Sequence, residues 1–296
     1  MQVNALAKIN LSLEIRERRP DGFHEIETLI TSISLRDEIT IDQNERGQGI
    51  VFRCDDASVP QGEDNLVVRA ANLFFKIAKL NPAVSIELRK KIPHAAGLGG
   101  GSSDAAATLL ALNQLFETNF PKEALAELGS KIGSDVPFFI FESAATCRGR
   151  GELVVPTRLA KKLSILLLKP GFGVPTAFAY SHWQDSRELP GISYAPQEFD
   201  GLRFVNDLER PVFAKFVFLA QMKTWLRQQP EVGAALMSGS GSTMFAVMRE
   251  NKDVDLVARR AHNELDPELW TCACETLGGS SSPLLDAKNS APSAPD

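Results

Sequence analysis

The sequence predicts an α/β chain of the α+β kind with two domains, residues 1–157 and a smaller 158–277, and a tail at 278–296. Three observations carry that reading. Stretches with period-two hydrophobicity recur along the chain as strands, and apolar residues at helical spacing lie between them. A length of 296 residues suits one large domain or two modest ones sharing an interface, and 44% hydrophobic residues suffice for a full core. Composition then shifts over Thr157–Lys162, which places the boundary.

Taken in order, Leu11, Leu13 and Ile15 alternate with polar residues as a strand, and Arg19-Pro20-Asp21-Gly22 is a turn signal. Strands follow at Glu25–Leu35, Glu38–Asp42 and Ile50–Cys54, an antiparallel opening unit. Asp64 is placed to cap a helix over Leu66–Leu80, and Val84, Ile86 and Leu88 alternate in the next strand. A glycine loop leads to a helix that opens near Ser102 or Ser103 and runs to about Phe116. Pro121 suits the first turn of a helix over Lys122–Ile132, ended by Gly133. Short strands are expected at Phe138–Phe141, Ala144–Arg148 and Glu152–Val155.

In the second domain, Ser164–Leu168 reads as a buried strand and Pro175 starts a short helix carrying Ala177–Trp183. A longer helix spans about Val212–Gln228. Ala234–Met237 and Met244–Met248 flank a second glycine-rich turn, Ser238–Thr243. Asp253–Glu264 is helical and Trp270–Glu275 is a last strand. The tail from Gly278 is rich in Ser, Pro and Ala, has little to bury, and is expected to be disordered.

A net charge of −5 argues against a nucleic-acid binder, which needs a basic face, but not against a phosphate ligand held at a local site. No apolar run has the length to span a bilayer, and the opening MQVNALAKINLSLEI lacks the features of a secretory leader. Cys54, Cys147, Cys272 and Cys274 have no usual zinc spacing and read as reduced thiols in a cytoplasmic protein.

The segment PHAAGLGGGSSDAAATLLAL carries the chemistry. Gly97, Gly99, Gly100 and Gly101 free several backbone N–H groups to point into one concavity, and the helix behind them turns its positive end toward it. That is an anion cradle. It is not the GxxxxGK[ST] loop, because no lysine follows the glycines. It is also a poor dinucleotide fingerprint, because Ser102 stands at the third glycine position. A loop that merely caps a helix is the competing account. Valine at Gly99 or Gly100 is expected to fill the phosphate space.

Asp135, in GSDVPFF, is a semi-buried carboxylate that needs a partner or a task, and Lys8, in ALAKINLSL, puts a charge on an apolar strand. Each alone also fits a bland role, as a helix cap or as a side chain in water.

Together these segments resemble the GHMP kinases, from about residue 5 to 275. AKINLSL at 7–13 resembles the first family motif, the glycine loop the second, and GSGSTMF at 239–245 the third. RPDGFHEIETL at 19–29, DNLVVRAA at 64–71, GLGGGSSDAA at 97–106, GSDVPFF and NDLE at 206–209 are similar to one branch of that family. The acceptor of that branch is a cytidine diphosphate-linked methylerythritol.

The resemblance implies a two-domain fold with ATP and a small-molecule acceptor in a central cleft, and ATP with Mg²⁺ as cofactors. It implies Asp135 as base or orienting carboxylate and Lys8 as the cation beside it. The triphosphate would lie on the loop from Pro93 through Gly97, Leu98 and Gly99–Ser103, with Asn65 near the adenine. Asn10 would orient the acceptor, and His24, flanked by Phe23, would bind the cytosine edge. Gly239, Ser240 and Gly241 would close over the substrate end of the phosphates. A second ring stacking on the cytosine would be Phe178 or Tyr180, with Tyr180 favoured by its distance from Pro175-Thr176. Ser102 or Ser103 fits a magnesium ligand. A monomer or weak homodimer is expected, without nucleic-acid or membrane partners. A kinase for another alcohol would lack the cytosine site, and a non-catalytic nucleotide-binding module would lack Lys8 or Asp135.

Overall fold

The computed structural model describes residues 1–20, 22–44, 49–141 and 144–277; Asp21 of the expected turn and the tail from Gly278 lie outside the described residues. The chain opens with β1 (Gln2–Arg18), β2 (His24–Gln43) and β3 (Gly49–Cys54). The two strands expected between residues 25 and 42 are one. Asp37, between the two expected segments, is fully buried and accepts from Lys91 N, Ile92 N and Lys90 Nζ, so its charge is satisfied inside the sheet.

α1 (Leu66–Ala78) and β4 (Ala83–Arg89) follow. Asn65 rather than Asp64 caps α1: its Oδ1 accepts from Val67 N at 2.9 Å and its amide donates to Pro60 O at 2.8 Å. α2 (Gly100–Leu115) begins before the expected serines, with Gly99 in the left-handed region as its N-cap. Glycine is a weak helix former, so the sequence conceals that first turn. α3 (Lys122–Ser130) precedes α4 (Val136–Phe141), which replaces the strand expected at Phe138–Phe141. A short apolar run fits either state. Here Val136 N bonds to Gly133 O at 3.2 Å and the chain coils.

β5 (Ala145–Arg148) and β6 (Leu153–Pro156) form a hairpin against β2. β7 (Ser164–Lys169), α5 (Thr176–Ser181), β8 (Gln197–Phe199) and β9 (Leu202–Asn206) come next. β8 and β9 had no counterpart in the sequence reading. The single helix expected over 212–228 is two, α6 (Glu209–Lys215) and α7 (Val217–Gln228). They part at Phe216, whose ring stacks on Phe172 at 5.5 Å. β10 (Val232–Met237), β11 (Met244–Met248), α8 (Val254–Glu264) and β12 (Trp270–Glu275) complete the fold.

The larger sheet runs β3-β4-β2-β1-β9-β8, with β5 and β6 off β2, and the smaller runs β10-β11-β7-β12. β9 lies parallel to β1, Ser12–Leu13 opposite Val205–Asn206, so the later chain returns to finish the first sheet. One core cluster lies between the first sheet and α1–α4, a second lies under α6–α8, and a third joins the two sheets.

β1 sets up the site. Val3 and Ala5 pack into the first cluster, whereas Ala7, Ile9 and Leu11, of the same parity, pack into the third. The strand therefore turns over between them, where its register with β2 shifts between Leu6 and Lys8; a second shift lies between Asn10 and Ser12. Such irregularities re-aim side chains. These two bracket Lys8 and Asn10 and send both away from the sheet-to-sheet core.

Candidate active site

Two cavities meet at the edge of β1. One, of about 410 Å³, runs along the first glycine loop from Pro93 to Ser102 and reaches Asn65. The other, of about 560 Å³, lies between the His24 end of β2, the Arg150 turn and α5. Lys8, Asp135 and Thr176 line both.

Lys8 is 4% exposed, and its Nζ donates to Asn10 Oδ1 at 2.6 Å and lies 3.8 Å from Asp135 Oδ2. Asn10 is held in turn, donating to Thr28 Oγ1 at 2.9 Å. The backbone of Lys8 is pinned by its N–H bond to Leu98 O at 3.0 Å, which ties the cation to the glycine loop. Burial pushes the Lys8 ammonium below the ordinary lysine range, and the Asp135 charge opposes that fall. If Lys8 acts as a cation at this junction, as the resemblance implies, only its protonated form serves. The alkaline limb of kcat should therefore fall at lower pH than an ordinary lysine would give. Lys8→Arg, which does not titrate there, should abolish that limb; a pH–rate profile of both proteins measures it.

In the glycine-loop cavity, Gly100, Gly101 and Ser102 precede the first bond of α2, from Ser103 N to Gly99 O at 2.9 Å, so their N–H groups are the orphan donors of the helix start. Ser102 lines this cavity, whereas Ser103 is buried against Leu6 and Phe139 in a small space behind the helix. Asn65 lines the far wall with its amide already bonded in the cap. The valine expectation needs correcting. A Cβ on Gly99 would meet the Phe139 ring at 2.8 Å and Lys8 Cγ at 3.0 Å, and one on Gly100 would meet Ile92 at 3.0 Å. Those positions face inward, so a side chain there displaces Lys8 or the core, not a phosphate.

Sequence reasoning missed the charge cluster beneath this helix. Lys90 Nζ bonds to Asp37 Oδ2 at 2.5 Å and to Asp104 Oδ2 at 2.7 Å, all three nearly enclosed. Burial, with Asp37 close by, pushes the Asp104 carboxyl up to about 8 against the pull of Lys90.

In the second cavity, Phe23, His24 and Tyr180 come together from separate elements. His24 stacks on Tyr180 at 6.2 Å and meets Trp183 edge-on at 5.6 Å. Phe23 is 52% exposed, with the Arg150 guanidinium 4.9 Å above its ring. Arg18 and Arg150 put positive charge on this wall, which suits an acceptor carrying phosphates, and neither had a local sequence signal. Gly239 and Ser240 line the cavity, and Ser240 Oγ lies 3.0 Å from Thr176 Oγ1. Gly241 instead packs behind the turn, toward Met237. Phe178 packs against His182 at 4.2 Å and is outside the cavity lining.

The arrangement offers a phosphate cradle, a carboxylate with a buried cation at the junction, and a ring-walled acceptor space. Residues 65–143 match the model of the GHMP kinases N terminal domain and residues 197–266 that of the GHMP kinases C terminal domain. The 4-diphosphocytidyl-2-C-methyl-D-erythritol kinase of Methylacidiphilum infernorum is 40% identical over 92% of this chain and 96% of its own length. That of Geobacter sulfurreducens is 36% identical over 92% and 97%. A crystal structure of 4-(cytidine 5'-diphospho)-2C-methyl-D-erythritol kinase is 36% identical, with a TM-score of 0.77 over 95% of this chain and all of that one. Homoserine kinase from Cytophaga hutchinsonii, 15% identical with a TM-score of 0.66 over 94% of this chain and 95% of its own, shares the fold.

Proposed function

Because the chain belongs to the GHMP kinase family, and within it groups with the 4-diphosphocytidyl-2-C-methyl-D-erythritol kinases, we propose that it transfers the γ-phosphate of ATP to the 2-hydroxyl of 4-diphosphocytidyl-2-C-methyl-D-erythritol. The product is the 2-phosphate, a precursor in non-mevalonate isoprenoid synthesis. The observation that carries the reading is the meeting of the two cavities at Lys8 and Asp135. ATP occupies the glycine-loop cavity, adenine toward Asn65 and γ-phosphate toward Lys8. The acceptor occupies the other, its cytosine among Phe23, His24 and Tyr180 and its diphosphate near Arg18 and Arg150.

In this proposal Asp135 takes the proton of the 2-hydroxyl as the oxygen attacks the γ-phosphorus, and ADP leaves along the cradle. Lys8 relieves the charge building on the transferring oxygens, with Asn10 fixing its ammonium. Magnesium supplies shielding of phosphate charge in such transfers. Ser102 is the residue that fits it, a hydroxyl on the nucleotide wall. Among the described residues no group of three or more His, Cys, Asp or Glu side chains forms a cation cage, so phosphate oxygens and water would supply the remaining ligands. The same reading has the enzyme working in the cytoplasm on dissolved metabolites, as a monomer or weak homodimer.

An ATP-consumption assay across candidate alcohols tests this, and the cytidine diphosphate-linked methylerythritol should be the preferred acceptor. His24→Ala should raise KM for that acceptor far more than KM for ATP, because a polar site built for one base is left unpaired by its loss. Equal rises in both constants, or none, would make His24 a structural residue and remove the cytosine assignment.

A further inference from the structure

The segment Asn206-Asp207-Leu208-Glu209 is given no task by the reaction, yet it sits between the strand that carries Lys8 and the second glycine turn. Asn206 is 4% exposed, and its Nδ2 donates both to Met237 O at 2.7 Å and to Gly239 O at 2.8 Å. Its Oδ1 accepts from Leu208 N at 2.9 Å, so the whole amide is committed. Asp207 faces the other way. Its Oδ2 accepts from Ile15 N at 2.8 Å, and its own N–H bonds to Leu13 O at 3.0 Å. Glu209 backs the same clip, taking Met237 N at 2.9 Å and the buried Lys223 ammonium.

What the clip holds is the junction of the cavities. A methyl group on Gly239 would lie 3.1 Å from Lys8 Nζ and 3.3 Å from Asn10 Oδ1, so the turn runs against the catalytic cation. Ser238 Oγ donates to Gly97 O at 2.9 Å, which joins the turn to the nucleotide loop. Ser240 meets Thr176 on the acceptor side. One displaced turn would therefore disturb the cation, the cradle and the acceptor wall together.

We propose that Asn206 and Asp207 are positioning residues for phosphoryl transfer. They lock β1, with Lys8 and Asn10, in register with the Ser238–Thr243 turn. The proposal rests on the kinase reading above. A merely structural role would lower the unfolding temperature and leave the turnover of folded molecules alone. A positioning role lowers kcat in folded protein, because misplacement on the scale of an ångström costs about 10²-fold in rate.

The test is steady-state kinetics with ATP and the cytidine diphosphate-linked methylerythritol, on variants shown to be folded by circular dichroism. Asn206→Asp keeps the size and the acceptor for Leu208 N but loses both donations to the turn. Its kcat should fall between about 10- and 10²-fold in folded protein. Asp207→Ala should fall less, in the same direction, and Asp207→Asn, which still accepts from Ile15 N, should recover parental turnover. Folded Asn206→Asp with parental kcat overturns the proposal. If Asn206→Asp does not fold, the Asp207 pair decides, and an Asp207→Ala enzyme with parental kcat overturns it. A parent inactive on every alcohol overturns the kinase reading and the clip with it, whereas an active parent with unimpaired variants overturns the clip alone.

Discussion

In Asp135→Asn, turnover should fall about 10²–10⁴-fold, or about 3–5 kcal/mol of barrier, with little change in KM for the acceptor. The proposed nucleophile is a tertiary alcohol, hindered and weakly acidic, so its proton needs a positioned acceptor. The amide keeps the shape of the carboxylate and removes both the base and the counter-charge 3.8 Å from Lys8. Lys8→Met should act on the same step, since it leaves Asn10 without its 2.6 Å partner and the junction without a cation. The double variant should lose much less than the product of the single losses, because the two groups work as a unit. Kinetics of the three variants measure this. Fully multiplicative losses, or an Asp135→Asn enzyme within a few-fold of the parent, would remove the pair from the chemistry.

Gly97→Ala should cost at least about 10²-fold in nucleotide affinity, far more than its single added methyl suggests. Gly97 has φ +76°, and a Cβ there would sit 2.2 Å from Ser238 O and 2.9 Å from Gly241 O. Those are backbone atoms of the other glycine turn and cannot rotate away, so the two turns must part. Gly101→Ala is the contrast. It is helical, and its Cβ would make ordinary contact with Leu66 at 3.4 Å, so the fold should be kept. Calorimetric titration with a non-hydrolysable ATP analogue, alongside thermal melts, separates the two. Parental affinity in a folded Gly97→Ala protein would show that the loops are not mutually supporting.

The candidate site was more legible in the sequence than the frame that holds it. Lys8 and Asp135 stand out because a charge on an apolar strand or beside an apolar run needs a reason, and the glycine loop because few other segments gather so many N–H groups. The sequence did not reveal that β1 turns over between Leu6 and Lys8, because that depends on its register with β2. Thr176 and Arg150 were missed for the same reason: each is ordinary in its own segment and reaches the cavity through tertiary packing. α4 was mistaken for a strand because periodicity cannot separate a short apolar run, five of its six residues buried, into helix or strand. β8 and β9 are short, and β9 meets β1 over only Ser12–Leu13, a long-range pairing without a local signature.

That pairing bears on how the molecule is made. As the chain leaves the ribosome, β1 and β2 emerge within the first 43 residues and can pair at once. The other edge of β1, at Ser12 and Leu13, waits for Leu202–Asn206. Until then the nascent chain presents an open, largely apolar strand edge, the kind of surface that recruits other chains. A chain truncated before residue 202 would lack the strand that pairs with this edge.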